Sequence, residues 1–123
     1  MGLDTNPVRS PVTELVLCPV RFVGGTTAVT KVFGEGVAVT YIGTGLVDLT
    51  FSDAQGTFLG LAGEPSFAAT TAADVKGHTV VVGVYNTTTN TLRLNITNAA
   101  EALHDLAALE WLTATLLFKR VSV

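Results

Sequence analysis

Charged residues are scarce in this 123-residue chain, which has seven basic and ten acidic residues, 14% of the total. A soluble domain of ordinary composition has about 25%. The basic residues form no long cluster and the net charge is −3, so the sequence has no electrostatic footprint for nucleic acid. Because so few charges must cover a folded domain, we expect exposed apolar and small polar side chains, as at a permanent protein interface.

Long apolar runs are also missing. The longest segment without Asp, Glu, Lys or Arg, Gly77–Leu92, is shorter than the about 18 residues of a membrane-spanning helix and contains several threonines and asparagines. No membrane partner is therefore predicted. Glu14 interrupts the apolar stretch Val12–Val20, so no signal peptide is predicted either. The 48% content of hydrophobic residues excludes a disordered chain.

Metal and redox chemistry have few candidate residues, since the chain has one cysteine and two histidines. Cys18 has apolar neighbours, which predicts a buried, unreactive thiol, and a lone cysteine forms no intrachain disulfide. This is typical of a protein assembled in a reducing cytosol. His78 and His104 lack ligand spacing with each other or with Cys18, so no metal and no cofactor are predicted.

Motifs for catalysis are absent as well. A Ser-His-Asp triad can be written from Ser52 or Ser66 with His78 and Asp105, but the strained turn that presents a nucleophile is missing. The Gly-x-Gly of Gly43–Gly45 lies between predicted strands and not before a helix, which favours a hairpin turn over phosphate binding. The sequence thus predicts a protein that is not an enzyme and has no small-molecule substrate.

The clearest pattern present in the sequence is the alternation of apolar and polar residues. The segment Gly36–Ile42, for example, places Val37, Val39 and Tyr41 on one face of a strand. Several such strands, with turn signals at roughly ten-residue spacing, predict an antiparallel β-sandwich or barrel. The alanine-rich segment Asn98–Leu109 is compatible with a helical turn or two, or with a loop.

Residues 1–25 differ from the rest of the chain because Pro7, Pro11 and Pro19 favour extended backbone. We expect an extended N-terminal arm that docks onto a neighbouring subunit, followed by one β-sandwich domain over residues 26–123. The alternative for residues 1–25 is a first edge strand of the same domain.

Apolar residues of the arm and of two strands are the candidate interface. The strand His78–Tyr85 is apolar on both faces, which is typical of a central strand or of one whose outer face meets a partner. Aromatic residues are spaced like core residues, although Tyr41, Tyr85 or Trp111 could form a platform for a sugar if exposed. The predicted interface residues are Val12, Leu15, Val16, Leu17, Phe22, Val81, Tyr85, Trp111 and Leu112.

Several segments together resemble a class of small virion proteins of tailed bacteriophages. The resemblance covers about residues 26–123 in order. One departure lies in the final strand, where Trp111-Leu112-Thr113 replaces a more polar arrangement. The segments that carry the resemblance are Gly34–Val37, Val39–Leu49, Asp74–Asn86, Asn90–Leu94, Asp105–Ala108 and Leu116–Val123.

This resemblance implies a jelly-roll-like antiparallel β-sandwich that serves as a capsid decoration, or cement, protein, usually as a homotrimer. The implied partners are the major capsid protein and other copies of the chain. The implied location is the capsid exterior of the virion, after assembly in the host bacterial cytoplasm. The arm would then attach to the shell and the protein would bridge capsomers. A receptor- or glycan-binding β-module of a phage fibre or spike is the alternative.

Overall fold

The computed structural model describes residues 12–25, 27–68 and 78–122, with side chains from residue 14 to residue 120 of these ranges. The described residues form two antiparallel sheets packed face to face, and none of them is helical. The predicted all-β sandwich is therefore confirmed. Its strands are β1 (Val12–Gly25), β2 (Ala28–Phe33), β3 (Val37–Gly43), β4 (Leu46–Phe51), β5 (Thr57–Leu61), β6 (Ser66–Ala68), β7 (Thr79–Val82), β8 (Thr91–Thr97) and β9 (Trp111–Ser122).

The larger sheet has five strands built around β1 and β9. Its order is β2-β1-β9-β5, and β6 pairs with β9 as well. The two long strands pair without a register shift from Val12↔Ser122 to Val23↔Trp111. The smaller sheet has the order β3-β4-β8-β7, and its β3–β4 hairpin turns at Gly45, whose φ is +70°.

The core lies between the two sheets and comes from strands with the predicted alternation. β8 has a strict alternation of half-buried and buried residues, which puts its apolar positions inward. The ring of Phe118 sits edge-on to Phe51 and Tyr85 and tilted against Phe58. The apolar residues with the least exposure are Val20, Phe22, Val47, Leu49, Leu92, Leu94, Ile96, Leu112, Leu116 and Phe118.

The expected N-terminal arm is wrong for residues 12–25, which form β1 inside the sandwich. β1 pairs with β9 along nearly its whole length, and its inward residues Val20 and Phe22 are fully buried. The alternative, a strand of the same domain, describes this segment. Residues 1–11 of the expected arm lie outside the described residues.

The segment Asn98–Leu109 is a loop and not a helix. The Oδ1 of Asn98 accepts hydrogen bonds from the amides of Ala100 and Ala102, an Asx-type turn that competes with helix formation. Glu101 and Leu109 have φ values of +61° and +71°, in the left-handed region that interrupts a right-handed helix.

Candidate interaction surface

Exposed leucines cluster on the outer face of the five-stranded sheet. Leu15 and Leu17 on β1 are 64% and 59% exposed, and Leu59 on β5 is 48% exposed. Leu17 lies directly opposite Leu117 of β9 in the register. We refer to Leu15, Leu17, Leu59 and Leu117 as the leucine patch. A group of this kind on an outer sheet face is typical of a surface that meets a partner.

Arg21 lies on the same outer face as the leucine patch, four residues beyond Leu17 on β1, and is held by three neighbours. Its guanidinium carbon is 3.8 Å from the centroid of the Trp111 ring and 5.3 Å from that of Phe33. Its Nε donates a 2.7 Å hydrogen bond to Thr113 Oγ1. These contacts fix the guanidinium plane, because a cation over an aromatic face is attracted by the ring quadrupole.

The outer face of this sheet carries cations and no carboxylate among the described side chains of β1 and β9. The charges there are Arg21 and Lys119, at the outward positions of the two strands. The chain's excess of acidic residues therefore lies elsewhere on its surface. The outward positions are Leu15, Leu17, Pro19, Arg21 and Val23 on β1, and Trp111, Thr113, Thr115, Leu117 and Lys119 on β9.

The outer face of the four-stranded sheet is more polar. Asp48 and Arg93 form a cross-strand ion pair between β4 and β8, and this contact raises the pKa of Arg93. The hydroxyls of Thr50 and Thr91 are 3.3 Å apart on the same face. Polar groups satisfied within the chain leave this face with little need for a partner, apart from Val81 on β7 and Ile42 on β3, which are 55% and 45% exposed on the two edge strands.

The predicted interface residues divide into four groups, of which the fully buried one is described in the next paragraph. Leu15, Leu17 and Val81 are exposed. Val16 and Tyr85 are half-buried against the core, and Trp111 is half-buried beneath Arg21. For Val12 the side chain lies outside the described part of the structure.

Phe22 and Leu112 are wrong as interface residues. Both are fully buried in the chain's own core, and they lie opposite each other on the inner face of β1 and β9. A side chain already enclosed by its own fold has no area left to bury against a second protein.

Sequence reasoning missed Arg21, Leu59 and Leu117. Leu117 follows Leu116, and alternation along β9 requires one of the two leucines to face outward. The Leu116-Leu117 doublet therefore indicates, from the sequence alone, an outward-facing leucine on this strand. For Leu59 and Arg21 no local pattern marks the outer face, because Leu59 sits at a register shift between β5 and β9 and the aromatic neighbours of Arg21 come from other strands.

The three aromatic residues considered for a sugar platform are all engaged within the chain. Tyr41 donates a 3.0 Å hydrogen bond to Asp105 Oδ2. Tyr85 packs edge-on against Phe51 and Phe118, and the ring of Trp111 is covered by Arg21 on one face. A sugar would have to displace Arg21 to stack on that face.

Asp105 joins the 98–110 loop to the β3–β4 hairpin. Its Oδ1 accepts a 2.7 Å hydrogen bond from the Gly45 amide, and its Oδ2 accepts the one from Tyr41. The pKa of Tyr41 is raised, first because burial disfavours the phenolate and then because Asp105 accepts its hydrogen bond and repels its negative charge. Both carboxylate oxygens of Asp105 thus serve the architecture and not the triad drawn with Ser52 or Ser66 and His78.

Asp105→Asn is expected to lower the pKa of Tyr41, because the substitution removes the negative charge while keeping the side-chain shape. In the native chain the raised pKa means that the folded state binds more protons than the unfolded state above the ordinary value of 10.0. Stability therefore falls as pH rises past that value. Spectroscopic titration of the phenol in a Tyr85→Phe background measures the shift. An unchanged Tyr41 pKa in Asp105→Asn would contradict the contact.

Cys18 is half-buried near the end of the sandwich where β1 and β9 meet the loop after β4. Burial raises the pKa of its thiol, and nearby Arg120 opposes that rise. The Sγ lies 4.0 Å from Gln55 Oε1, and Gln55 also accepts a 3.1 Å hydrogen bond from Arg120. A raised pKa keeps the thiol protonated, which is the less reactive form. Among the described residues, no three His, Cys, Asp or Glu side chains group as metal ligands.

No protein-family model matches the chain, and no curated protein or solved structure shows a significant match to it. Within the described ranges there is also no helix long and apolar enough to cross a membrane.

Proposed function

We propose that this chain is a non-enzymatic structural protein that decorates the exterior of a tailed-phage capsid and binds it through the outer face of the five-stranded sheet. The leucine patch carries the proposal, because Leu15, Leu17 and Leu59 are exposed together on one face. The outer face of the opposite sheet instead carries polar pairs satisfied within the chain, with exposed Ile42 and Val81 on its two separate edge strands. The resemblance of residues 26–123 to small tailed-phage virion proteins supplies the identity of the shell, with the major capsid protein as partner.

The size of the outer face suits a specific protein interface. β1 and β9 pair over twelve positions, which is about 40 Å of strand at about 3.4 Å per residue. Two strands of that length about 4.8 Å apart cover about 380 Å², and the shorter flanking strands β2, β5 and β6 add about 200 Å². The sum, roughly 600 Å², lies at the lower end of the about 600–1,000 Å² per partner of a standard interface.

The energetics favour many weak attachments that act together. Burying a leucine that is now half to two-thirds exposed contributes about 1–2 kcal/mol, so the patch by itself gives modest affinity. Copies that also contact one another bind a shell with the avidity of linked sites, which multiplies the effect of each contact. Homotrimers bridging capsomers, as the resemblance implies, would meet this requirement.

Binding to capsids that lack the protein tests the proposal. Leu15→Ser with Leu17→Ser is expected to weaken binding by roughly 30- to 150-fold, which corresponds to about 2–3 kcal/mol of lost apolar burial. The readout is the fraction of protein that co-sediments with the capsids at several concentrations. Rebinding of the unmodified protein is also expected to raise the heat resistance of the capsids.

Val81→Ser is the matched control, because it removes a similarly exposed apolar side chain from the other sheet. It is expected to leave binding unchanged. Equal losses from Val81→Ser and from the leucine pair would contradict the choice of face. Failure of the unmodified protein to bind, or binding that leaves heat resistance unchanged, would contradict the decoration role.

The alternative of a glycan-binding fibre module has weaker support. Its candidate platform residues Tyr41, Tyr85 and Trp111 are engaged by Asp105, by core rings and by Arg21 respectively. No face of the described structure presents a free aromatic pair with polar neighbours of the kind that sugar stacking requires.

A further inference from the structure

The first half of β1 has an open backbone edge. β2 pairs with β1 only from Arg21 to Gly25, because the chain leaves the sheet after Phe33 to begin β3. From Val12 to Val20, β1 therefore has β9 on one side and no strand on the other among the described residues. We refer to Thr13–Pro19 as the open edge. Its seven residues exceed the length of an average strand, about 5–6 residues.

The hydrogen-bonding direction of each residue on this edge follows from one contact. The amide of Gly24 donates a 2.7 Å hydrogen bond to the carbonyl of Glu110, so this opposite pair is a hydrogen-bonded pair of the β1–β9 ladder. Such pairs alternate along an antiparallel ladder, and the register has no shift. Even-numbered residues of β1 thus bond to β9, and odd-numbered residues direct their N–H and C=O away from it.

An independent contact on β9 agrees with this alternation. The carbonyl of Thr115, opposite Pro19 in the register, accepts a hydrogen bond from Ala62 on the far side of β9. Pro19 and Thr115 are therefore a non-hydrogen-bonded pair. This explains how a proline is accommodated inside a long strand, because its missing N–H falls on the open edge and removes no bond to β9.

We infer that the open edge pairs with the open edge of a second copy of this chain, antiparallel and about a two-fold axis at Val16. Leu15 of each copy then lies opposite Leu17 of the other as a hydrogen-bonded pair, and Thr13 lies opposite Pro19. The pairing supplies about six interchain hydrogen bonds. The two five-stranded sheets become one continuous sheet, and their leucine patches merge on one face.

A second copy fits this edge because the segment is complementary to itself. Within Leu15–Pro19 there is no charge, so apolar side chains meet apolar side chains across the axis. Glu14 lies opposite Cys18 of the other copy, which separates the two Glu14 side chains by four residues, about 13 Å along the strand. That distance exceeds the Debye length of about 8–10 Å, so like-charge repulsion is small.

The length and apolar composition of this edge make its unpaired state costly. Long, apolar strand edges invite pairing with other chains, and proteins that remain monomeric block them with charge, proline or a covering segment. Here the proline stands at one end, at residue 19, and leaves the amides of Thr13, Leu15 and Leu17 available. The two-fold pair differs from the three-fold arrangement that the resemblance implies, and it can join copies of neighbouring trimers.

Amide hydrogen exchange on the unmodified protein tests the inference directly. The amides of Val16 and Cys18, bonded to β9, are expected to stay protected at all concentrations. The amides of Leu15 and Leu17 are expected to be protected at high protein concentration and to lose protection on dilution. Fast exchange of Leu15 and Leu17 at every concentration would overturn the inference. So would protection that persists in a monomer, which would show that residues 1–11 cover the edge.

A pair of substitutions at one position separates the backbone from the side chain. Leu17→Pro removes an amide that does not bond to β9, and the symmetry deletes two interchain hydrogen bonds, so the association constant is expected to fall at least roughly tenfold. Leu17→Ala keeps the amide and is expected to lower the association constant by less. Sedimentation measures association and circular dichroism checks that both variants fold. If Leu17→Pro unfolds, hydrogen exchange on the unmodified protein still tests whether the edges pair. Equal masses for the native chain and a folded Leu17→Pro would overturn the pairing.

These experiments use no capsids, so their outcome is separate from that of the proposed function. A chain that dimerises through β1 but fails to bind capsids would retain the edge pairing and lose the decoration role.

Discussion

Phe118→Ala is expected to lower the free energy of unfolding by about 3–5 kcal/mol. Phe118 has no exposed surface, and its ring centroid lies 5.2 Å from Phe51, 5.4 Å from Phe58 and 5.3 Å from Tyr85. These rings come from both sheets and from the loop after β7. Removing the Phe118 ring therefore leaves a cavity that no single strand can close, and it also removes three favourable aromatic contacts.

Chemical denaturation of Phe118→Ala and Lys119→Ala provides the comparison. Lys119 is the next residue of β9 and is exposed on the outer face, so its truncation is expected to change stability by less than about 0.5 kcal/mol. A loss below about 1 kcal/mol for Phe118→Ala would contradict the packing of the two sheets around this ring.

Gly45→Ala is expected to have the second large effect, lowering the free energy of unfolding by about 2–4 kcal/mol. Gly45 has a φ of +70°, and a Cβ there would lie 2.7 Å from the carbonyl oxygen of Ile96 and from the amide nitrogen of His104. Both neighbours are backbone atoms in the tightly bonded junction that also includes Asp105. The alanine methyl cannot be accommodated unless β8 or the 98–110 loop moves.

Gly63→Ala is the control for backbone strain alone. Gly63 also has a positive φ, +90°, but a Cβ there meets no atom within 4 Å. We expect Gly63→Ala to lower the free energy of unfolding by about 1–2 kcal/mol, the penalty of a left-handed conformation. Thermal or denaturant unfolding of both variants then gives, by difference, the cost of the steric clash at Gly45. Equal losses at the two positions would show that the hairpin and the loop are not in close contact.

Strand positions and inward faces were predictable where alternation is regular. In β4, alternation along the sequence puts Val47, Leu49 and Phe51 on one face, and all three are buried; β8 shows the same agreement. Local turn chemistry also marked the β3–β4 hairpin at Gly43–Gly45. These features depend on residues near one another in sequence, so a single chain carries enough information to locate them.

β1 shows where the same reasoning failed. The prolines of residues 1–25 favour extended backbone, which suits an arm or an edge strand. A proline inside a ladder can remove a hydrogen bond. Whether that bond exists depends on which side of the strand the missing N–H faces. The alternation along β1 and β9, set by the Gly24–Glu110 contact, turns Pro19 toward an open edge where nothing is lost.

The predicted interface residues divide between the surface and the core for a related reason. Apolar residues occupy both faces of β1 and β9, so sequence alternation does not say which set is enclosed. The structure encloses Phe22 and Leu112 and leaves Leu15 and Leu17 outside. That choice comes from the second sheet, which covers one face of the five-stranded sheet and leaves the other open.

The sequence by itself determined that this protein is an all-β sandwich with an apolar interior and a surface short of charge. Those properties follow from composition and from a two-residue period, and they need no knowledge of distant contacts. Only the tertiary structure decided where the shortage of charge lies. Pairing between residues about 100 positions apart, such as Leu17 and Leu117, assembles the leucine patch, and no local pattern in the chain says which distant residues will pair.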